Sequence, residues 1–443
     1  MDRTVVLRTA AAAVVAAVAF TGCSAVMPGA LDQQPVQVEG VGPGVTADSV
    51  KVVFVGVDLG RTSQLTGFTS VDAGDPAKQV KALETWVNAN GGIAGRKLEA
   101  VFRSYEASND SPAAEEKLCN QITQDDQAFA VVLTGQFQSN ARPCYAQRRT
   151  LVLDATLVAT DDATYQRLSP YLWAPSFPAY DEFVSAFLSS LGEQRYFEGQ
   201  SQAGVVAADT PINRAAYDAF AEPQLAAAGV TATVSWIDTT DLGTLNAGLN
   251  QAAIDFRSKG INRVLFLGGA RMAAFFLTAA AAQDFTARYA ISSFDNPTFL
   301  VNNPSTIPAA SLVDMIGIGF NPSQDVPDNG YAFPATEAEK ACVGIYAAAG
   351  QSFKTRENAR VALPYCDAAL LLHRASRDLG ANLNAAAFGR AAQALGTGYA
   401  PAAGFAGLLD PKRHAAANGY RVMAFDTGCG CFAYRGPEVP FAR

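Results

Sequence analysis

Histidine is almost missing from this chain: two residues, His373 and His414, in 443. That scarcity removes the side chain most used for general acid-base work and for binding transition metals. The nucleophile elbow G-x-S-x-G, the zinc motif HExxH and the phosphate loop GxxxxGK[ST] are absent too, so no catalytic residues and no enzymatic activity are expected. Positive charge is also scarce. Lys and Arg number 33 against 41 Asp and Glu, a formal net charge of −8. Residues 1–22 contribute Arg3 and Arg8 against Asp2, which leaves the rest near −9, and a nucleic acid partner is not expected. No apolar run beyond the first 23 residues reaches the roughly 18 that span a bilayer; the richest, residues 272–282, reads as a buried helix.

What is present is organised around residues 51–103. KVVFVGV at 51–57 reads as a strand buried on both faces of a parallel sheet. A helix follows: Asp75 caps it, Pro76 suits its first turn, Val80, Leu83, Trp86 and Val87 recur at helical spacing, and Asn90-Gly91 supplies a left-handed stop. A second strand at 98–103 completes a β-α-β unit. Residues 58–74, between the first strand and its helix, make a loop longer than a plain connection. That length invites a binding role, because open α/β sheets bind ligands at the carboxyl ends of their strands.

The wording VNANGGIAGRKL at 87–98 resembles the end of the first helix in the branched-chain amino acid binding family of ABC-transporter receptors, the type I periplasmic binding proteins. PYCDAA at 364–369 is similar to that family at a later helix start. The resemblance covers about residues 50–435. It implies two doubly wound parallel-sheet α/β lobes joined by a three-strand hinge.

At the N-terminus, Arg3 and Arg8 precede an apolar run at 10–20, the pattern of a signal peptide. Phe20-Thr21-Gly22-Cys23 resembles a bacterial lipobox, with Phe where Leu is usual, and makes Cys23 the expected lipidation site. Residues 24–49 carry Pro28, Pro35 and Pro43 without a clear period and read as a flexible tether. Strands and helices then alternate. The expected organisation is a signal peptide at 1–23, a tether at 24–49, one lobe at 50–173 plus 322–418, and a second at 174–321 plus 419–443. Crossings are expected near YLWAPSFP at 171–178 and after MIGIGFN at 315–321, with the final strands on the second lobe.

Removing Cys23 from seven cysteines leaves six, an even number suited to an oxidising compartment. Cys119 and Cys144 fall on predicted helices of the first lobe, and Cys342 and Cys366 on two late helices. Pairs 119–144 and 342–366 are expected, the first resembling the family's own disulfide. Cys429-Gly430-Cys431 either closes a small ring or serves a metal or redox site, and with two histidines and no CxxC a metal is not expected.

The cleft loops follow from the strands: 58–74, 135–140 and 154–156 in one lobe, and 209–213, 268–271 and 294–296 in the other. Gln138-Ser139 is expected to open a helix over 139–148, whose N-terminus suits a carboxylate. Ser139 matches the family's hydroxyl there, and Ala155 and Thr156 resemble its small-residue/Thr pair, so the resemblance implies that they hold an α-carboxylate. Asp295 stands where the family places an acid for an α-ammonium group, and Ile212 where it has an aromatic residue. Plainer readings remain beside these: Ser139 as a helix cap, Asp295 as a turn residue before Asn296-Pro297, and Arg271 in a local ion pair or facing an acidic ligand. The function implied is a monomeric, lipid-anchored receptor on the outer face of the cell membrane. It would bind a small polar ligand, an amino acid or related compound, without a cofactor, and deliver it to ABC permease subunits. The alternatives are a ligand-sensing lipoprotein uncoupled from transport and an extracytoplasmic hydrolase using carboxylates alone.

Overall fold

The structure, a computed structural model, describes residues 40–269 and 272–442. Cys23, the signal segment, most of the tether and Arg271 lie outside the described residues. The end of the expected tether is held to the body: Gly42 N–H donates to Leu383 O at 2.8 Å and Asn384 Nδ2 to Gly40 O at 2.8 Å.

Strands β1 (Ser49–Asp58), β2 (Lys97–Glu106), β3 (Ala130–Thr134), β4 (Leu151–Ala155) and β5 (Leu172–Trp173) form one parallel sheet in the order β2-β1-β3-β4-β5. The run of apolar residues in β1 is explained by its two covered faces. Val50, Val52 and Phe54 enter one core and Val53 and Val55 the opposite one, as the period of two requires. The first core is closed by helices Pro76–Ala89, Glu337–Ala348, Ala362–Ser376 and Ala385–Gln393, so the chain returns to this sheet late in its course. Asp75 caps the first of these as expected, accepting from Ala77 N and Lys78 N.

The second sheet runs β12-β11-β10-β9-β8-β6-β7. Its members are β6 (Gln202–Ala208), β7 (Thr231–Ile237), β8 (Arg263–Leu267), β9 (Arg288–Ser292), β10 (Ile316–Gly319), β11 (Gly419–Asp426) and β12 (Cys431–Pro440). All pairs from β10 to β7 are parallel; β11 and β12 add an antiparallel edge.

Three local expectations change. Residues 58–74 are not all loop, because Gly60–Thr66 is helical. The helix expected from Ser139 begins at Arg142 and ends at Gln147, with Pro143 in its first turn, where a ring that fixes φ and lacks an N–H is tolerated. The single helix that the sequence pattern implies over 213–228 is interrupted by a wide turn at Tyr217–Ala221, just before Pro223, which has no N–H to continue the ladder. Cys119 bonds Cys144, Cys342 bonds Cys366, and Cys429 bonds Cys431.

Candidate functional site

Both sheets reverse their strand order beside their first strand, between β1 and β3 and between β6 and β8. Loops leaving the two sides of such a point diverge and leave a crevice at the carboxyl ends. The two sheets are joined by three segments, two of which run side by side. Ala174 N–H donates to His414 O at 3.0 Å and Ala416 N–H to Ala174 O at 2.8 Å. Buried carboxylates pin these segments. Asp367 accepts from Ser176 Oγ at 2.8 Å, Ala402 N at 2.6 Å and Ala403 N at 3.1 Å. Asp325 accepts from Ser293 Oγ at 2.9 Å, Asn321 N at 3.0 Å and Tyr434 OH at 2.7 Å. Burial raises both acids to about 7.

The residues expected to hold a carboxylate are arranged differently. Thr156 Oγ1 donates to Asp154 at 2.7 Å and accepts from Arg142 Nη2 at 3.2 Å, so its hydroxyl is committed inside the protein. Arg142 is itself buried between Asp154 at 2.9 Å and Glu115 at 3.3 Å, with Gln138 O at 2.9 Å. Desolvation nevertheless raises Glu115 to about 7. Ser139 is half-buried and neither caps nor opens a helix; its carbonyl accepts from Arg142 N at 3.2 Å. Gln138 Nε2 bridges the lobes, donating to Asp110 Oδ2 at 3.0 Å and to Thr239 O at 3.1 Å.

Ala155 packs in one cluster with Phe177, Tyr180, Phe183 and Phe294, against which Leu157, Ala159 and Ile212 also lie. Ala155 and Ile212, from opposite lobes, thus share one apolar cluster. Asp295 directly follows Phe294, whose ring lies 5.4 Å from that of Tyr180. Its Oδ2 accepts from Ser292 N at 2.8 Å and Ser292 Oγ at 3.1 Å, so the turn-residue reading holds, while its Oδ1 has no partner. At 1% exposure, desolvation lifts this carboxyl to about 8, and it is mostly neutral at pH 7.

Asp295 is one of several buried polar groups without partners at the carboxyl ends of strands. Gln136, after β3, is 1% exposed and neither its amide oxygen nor its nitrogen is paired. After β10, Asn321 Nδ2, Gln324 Oε1 and Asp325 Oδ1 are also unpaired. A buried polar atom left in this state costs free energy, so these groups at strand carboxyl ends are candidates to meet a bound molecule. Reasoning from the sequence reached the 135–140 loop but chose its helix-cap signal over Gln136. It missed the 321–325 segment, whose only cue was polar residues directly after a strand.

The long first loop ties the lobes together. Arg61 lies 3.8 Å from Glu106 on the first lobe. Phe68, 7% exposed, enters the core of the second lobe with its ring 5.3 Å from Phe275 and 5.2 Å from Phe299. Thr69 N donates to Asn303 Oδ1 at 2.7 Å, and Asn303 Nδ2 returns a bond to Thr69 O at 3.1 Å.

Neither histidine belongs to the cleft loops. His373 Nε2 lies 3.0 Å from Asn90 O, and His414 stacks on Trp173 at 4.0 Å, its pKa lowered by burial to about 4. Among the described residues no group of His, Cys, Asp and Glu could hold a metal ion, and no helix is long and apolar enough to cross a membrane.

Residues 56–429 match the family model described as periplasmic binding protein. No curated protein sequence matches this one significantly. Solved structures of similar fold include a solute-binding protein of an ABC transporter from Rhodopseudomonas palustris in complex with 3,4-dihydroxybenzoic acid: 13% identity, TM-score 0.60, covering 89% of this chain and 98% of that one. The fatty acid ABC transporter substrate-binding protein from Thermomonospora curvata is similar at 16% identity and TM-score 0.62, covering 91% and 93%. So is an ABC transporter substrate-binding protein from Desulfitobacterium hafniense in complex with Leu, at 16% identity and TM-score 0.55, covering 88% and 99%.

Proposed function

The chain belongs to the periplasmic binding protein family, and from that premise we propose that it is a lipoprotein, acylated at Cys23, that captures one small polar organic molecule between its lobes and hands it to an ABC importer. Its family is one of solute receptors, and the chain is not an enzyme. The observation that carries the ligand site is the set of buried polar atoms without partners on both sides of the cleft, Gln136 in one lobe and Asp295 in the other. Apolar walls with few polar groups are what a small-molecule site requires.

The solved relatives bind an aromatic acid, a fatty acid and leucine, so the family resemblance alone selects none of these. The local geometry favours a ligand with a hydrogen-bond acceptor for Asp295 Oδ1, the oxygen that carries the proton of the neutral acid because Oδ2 already accepts twice; an amino acid or a compound of that size supplies one. A carboxylate held by Thr156 is disfavoured, since that hydroxyl is already paired twice. Of the remaining positions, Gln138, Ser139, Ala155 and Ile212 line the approach in this reading.

Binding draws the lobes together, because only a ligand touching both can favour closure. Thermal-shift and calorimetric screening of the mature, unlipidated chain against amino acids, amides, aromatic acids and short peptides tests the proposal. One-to-one saturable binding with compaction in small-angle scattering is expected. Turnover of a bound compound, or saturation without compaction, refutes it. Cys23→Ser should release the protein from the membrane fraction of the producing cell; retention there would refute the lipid anchor.

A further inference from the structure

The three disulfides differ in what surrounds them. Cys119, Cys342 and Cys366 are fully buried and Cys144 is half-buried, and their bridges join separate helices across 25 and 24 residues. The third bridge, separated by 2 positions, caps the tip of the β11–β12 hairpin; there Cys429 is exposed and Cys431 half-buried. The turn that it spans is already closed without it. Phe425 pairs with Phe432 and Asp426 with Cys431 in the ladder, Gly428 N donates to Asp426 Oδ1 at 2.8 Å, and Arg435 reaches Asp426 at 3.0 Å.

A bridge that closes so short a loop removes little entropy from the unfolded chain, and a sulfur that faces water can be reached by an attacking thiolate. We propose that Cys429–Cys431 is a thiol–disulfide exchange site whose substrates are thiols of the extracytoplasmic space, while the two bridges between helices are structural. The thiolate of the reductant attacks Cys429 Sγ, the more exposed sulfur; the S–S bond breaks and Cys431 leaves as a thiolate that takes up a proton. A second thiolate attacks the reductant's sulfur in the mixed disulfide and frees Cys429. One protein disulfide and two thiols thus become one protein dithiol and one oxidised disulfide, a transfer of two electrons.

The position suits such traffic. Ile316 pairs with Ala424 and Gly319 with Arg421, so β11 runs against β10 and its tip lies beyond the amino end of that strand. The cleft faces the carboxyl ends, so a thiol at the tip does not compete with the solute.

The test equilibrates the mature, unlipidated chain with graded ratios of reduced to oxidised glutathione, and in parallel with dithiothreitol. Free thiols are trapped by alkylation and located by mass spectrometry. Cys429 and Cys431 should open at about tenfold less reductant, or lower still, than either bridge between helices. The melting temperature should not change when they do. Cys431→Ser should hold one glutathione on Cys429. A bridge that resists until Cys119–Cys144 or Cys342–Cys366 opens, or a Cys431→Ser chain that takes up no glutathione, overturns the proposal. The double variant Cys429→Ser/Cys431→Ser should melt with the parent; an unfolded double variant would make the bridge structural and also overturn it.

Discussion

Replacing Phe68 by alanine should shift the unliganded protein from a mixture of closed and open molecules to an almost wholly open one. The ring leaves a loop rooted on the first lobe and is buried in the second, so its contacts exist only while the lobes are together. Burying a phenylalanine side chain is worth about 1.5–3 kcal/mol, and each of its two aromatic contacts adds about 0.5–1.5. A loss near 3 kcal/mol is a reasonable working figure, because Thr69 and Asn303 keep their hydrogen bonds. It lowers the ratio of closed to open molecules by about 100-fold. Apparent ligand affinity then falls by up to that factor although no residue proposed to face the ligand has changed, and Phe68→Leu should fall between. Small-angle scattering of the unliganded variant should give a larger radius of gyration, and calorimetry with the ligand found by screening a weaker apparent Kd. An unchanged radius together with an unchanged Kd would refute the latch.

Other expectations rest on separate observations. Arg142→Met leaves Asp154 and Glu115 buried without their counter-ion and should cost about 3–5 kcal/mol, read as a lower denaturant midpoint; a loss below 1 kcal/mol would show that the network is not holding the loop. Asp295 has a pKa near 8 in the fold against about 4 when unfolded, so between those values the folded state binds the extra proton and stability is lost as pH rises. Asp295→Asn should therefore gain on the parent from pH 5 to pH 8, on the order of 3–4 kcal/mol in urea titrations; parallel pH curves would count against the buried neutral acid. Replacing both Cys119 and Cys144 by alanine frees a 25-residue loop and should cost about 3–4 kcal/mol, and a melting temperature equal to the parent's would contradict a structural role.

The alternation of buried strands with helices was legible in the chain because each element writes its own period. VVFV fills both faces of β1, and Asp75-Pro76 starts the next helix by chemistry that acts within a few residues. The disulfide pairs 119–144 and 342–366 could be expected because the resemblance and the helix order put those cysteines on neighbouring elements. The site was legible only as a set of loops. Ser139 looked like a helix start because the loop's polar residues precede a helical pattern, yet Pro143 placed the first turn later.

Sequence alone determined which segments become strands and helices, since propensity, capping and hydrophobic period are local properties. Only the tertiary structure decided that Thr156 is committed to Asp154 and Arg142, that Phe68 leaves its own lobe for the other, and that Gln136 and Asp295 lack partners. Those facts depend on which groups from distant parts of the chain share one dry place, and no residue carries that information in its neighbours along the sequence.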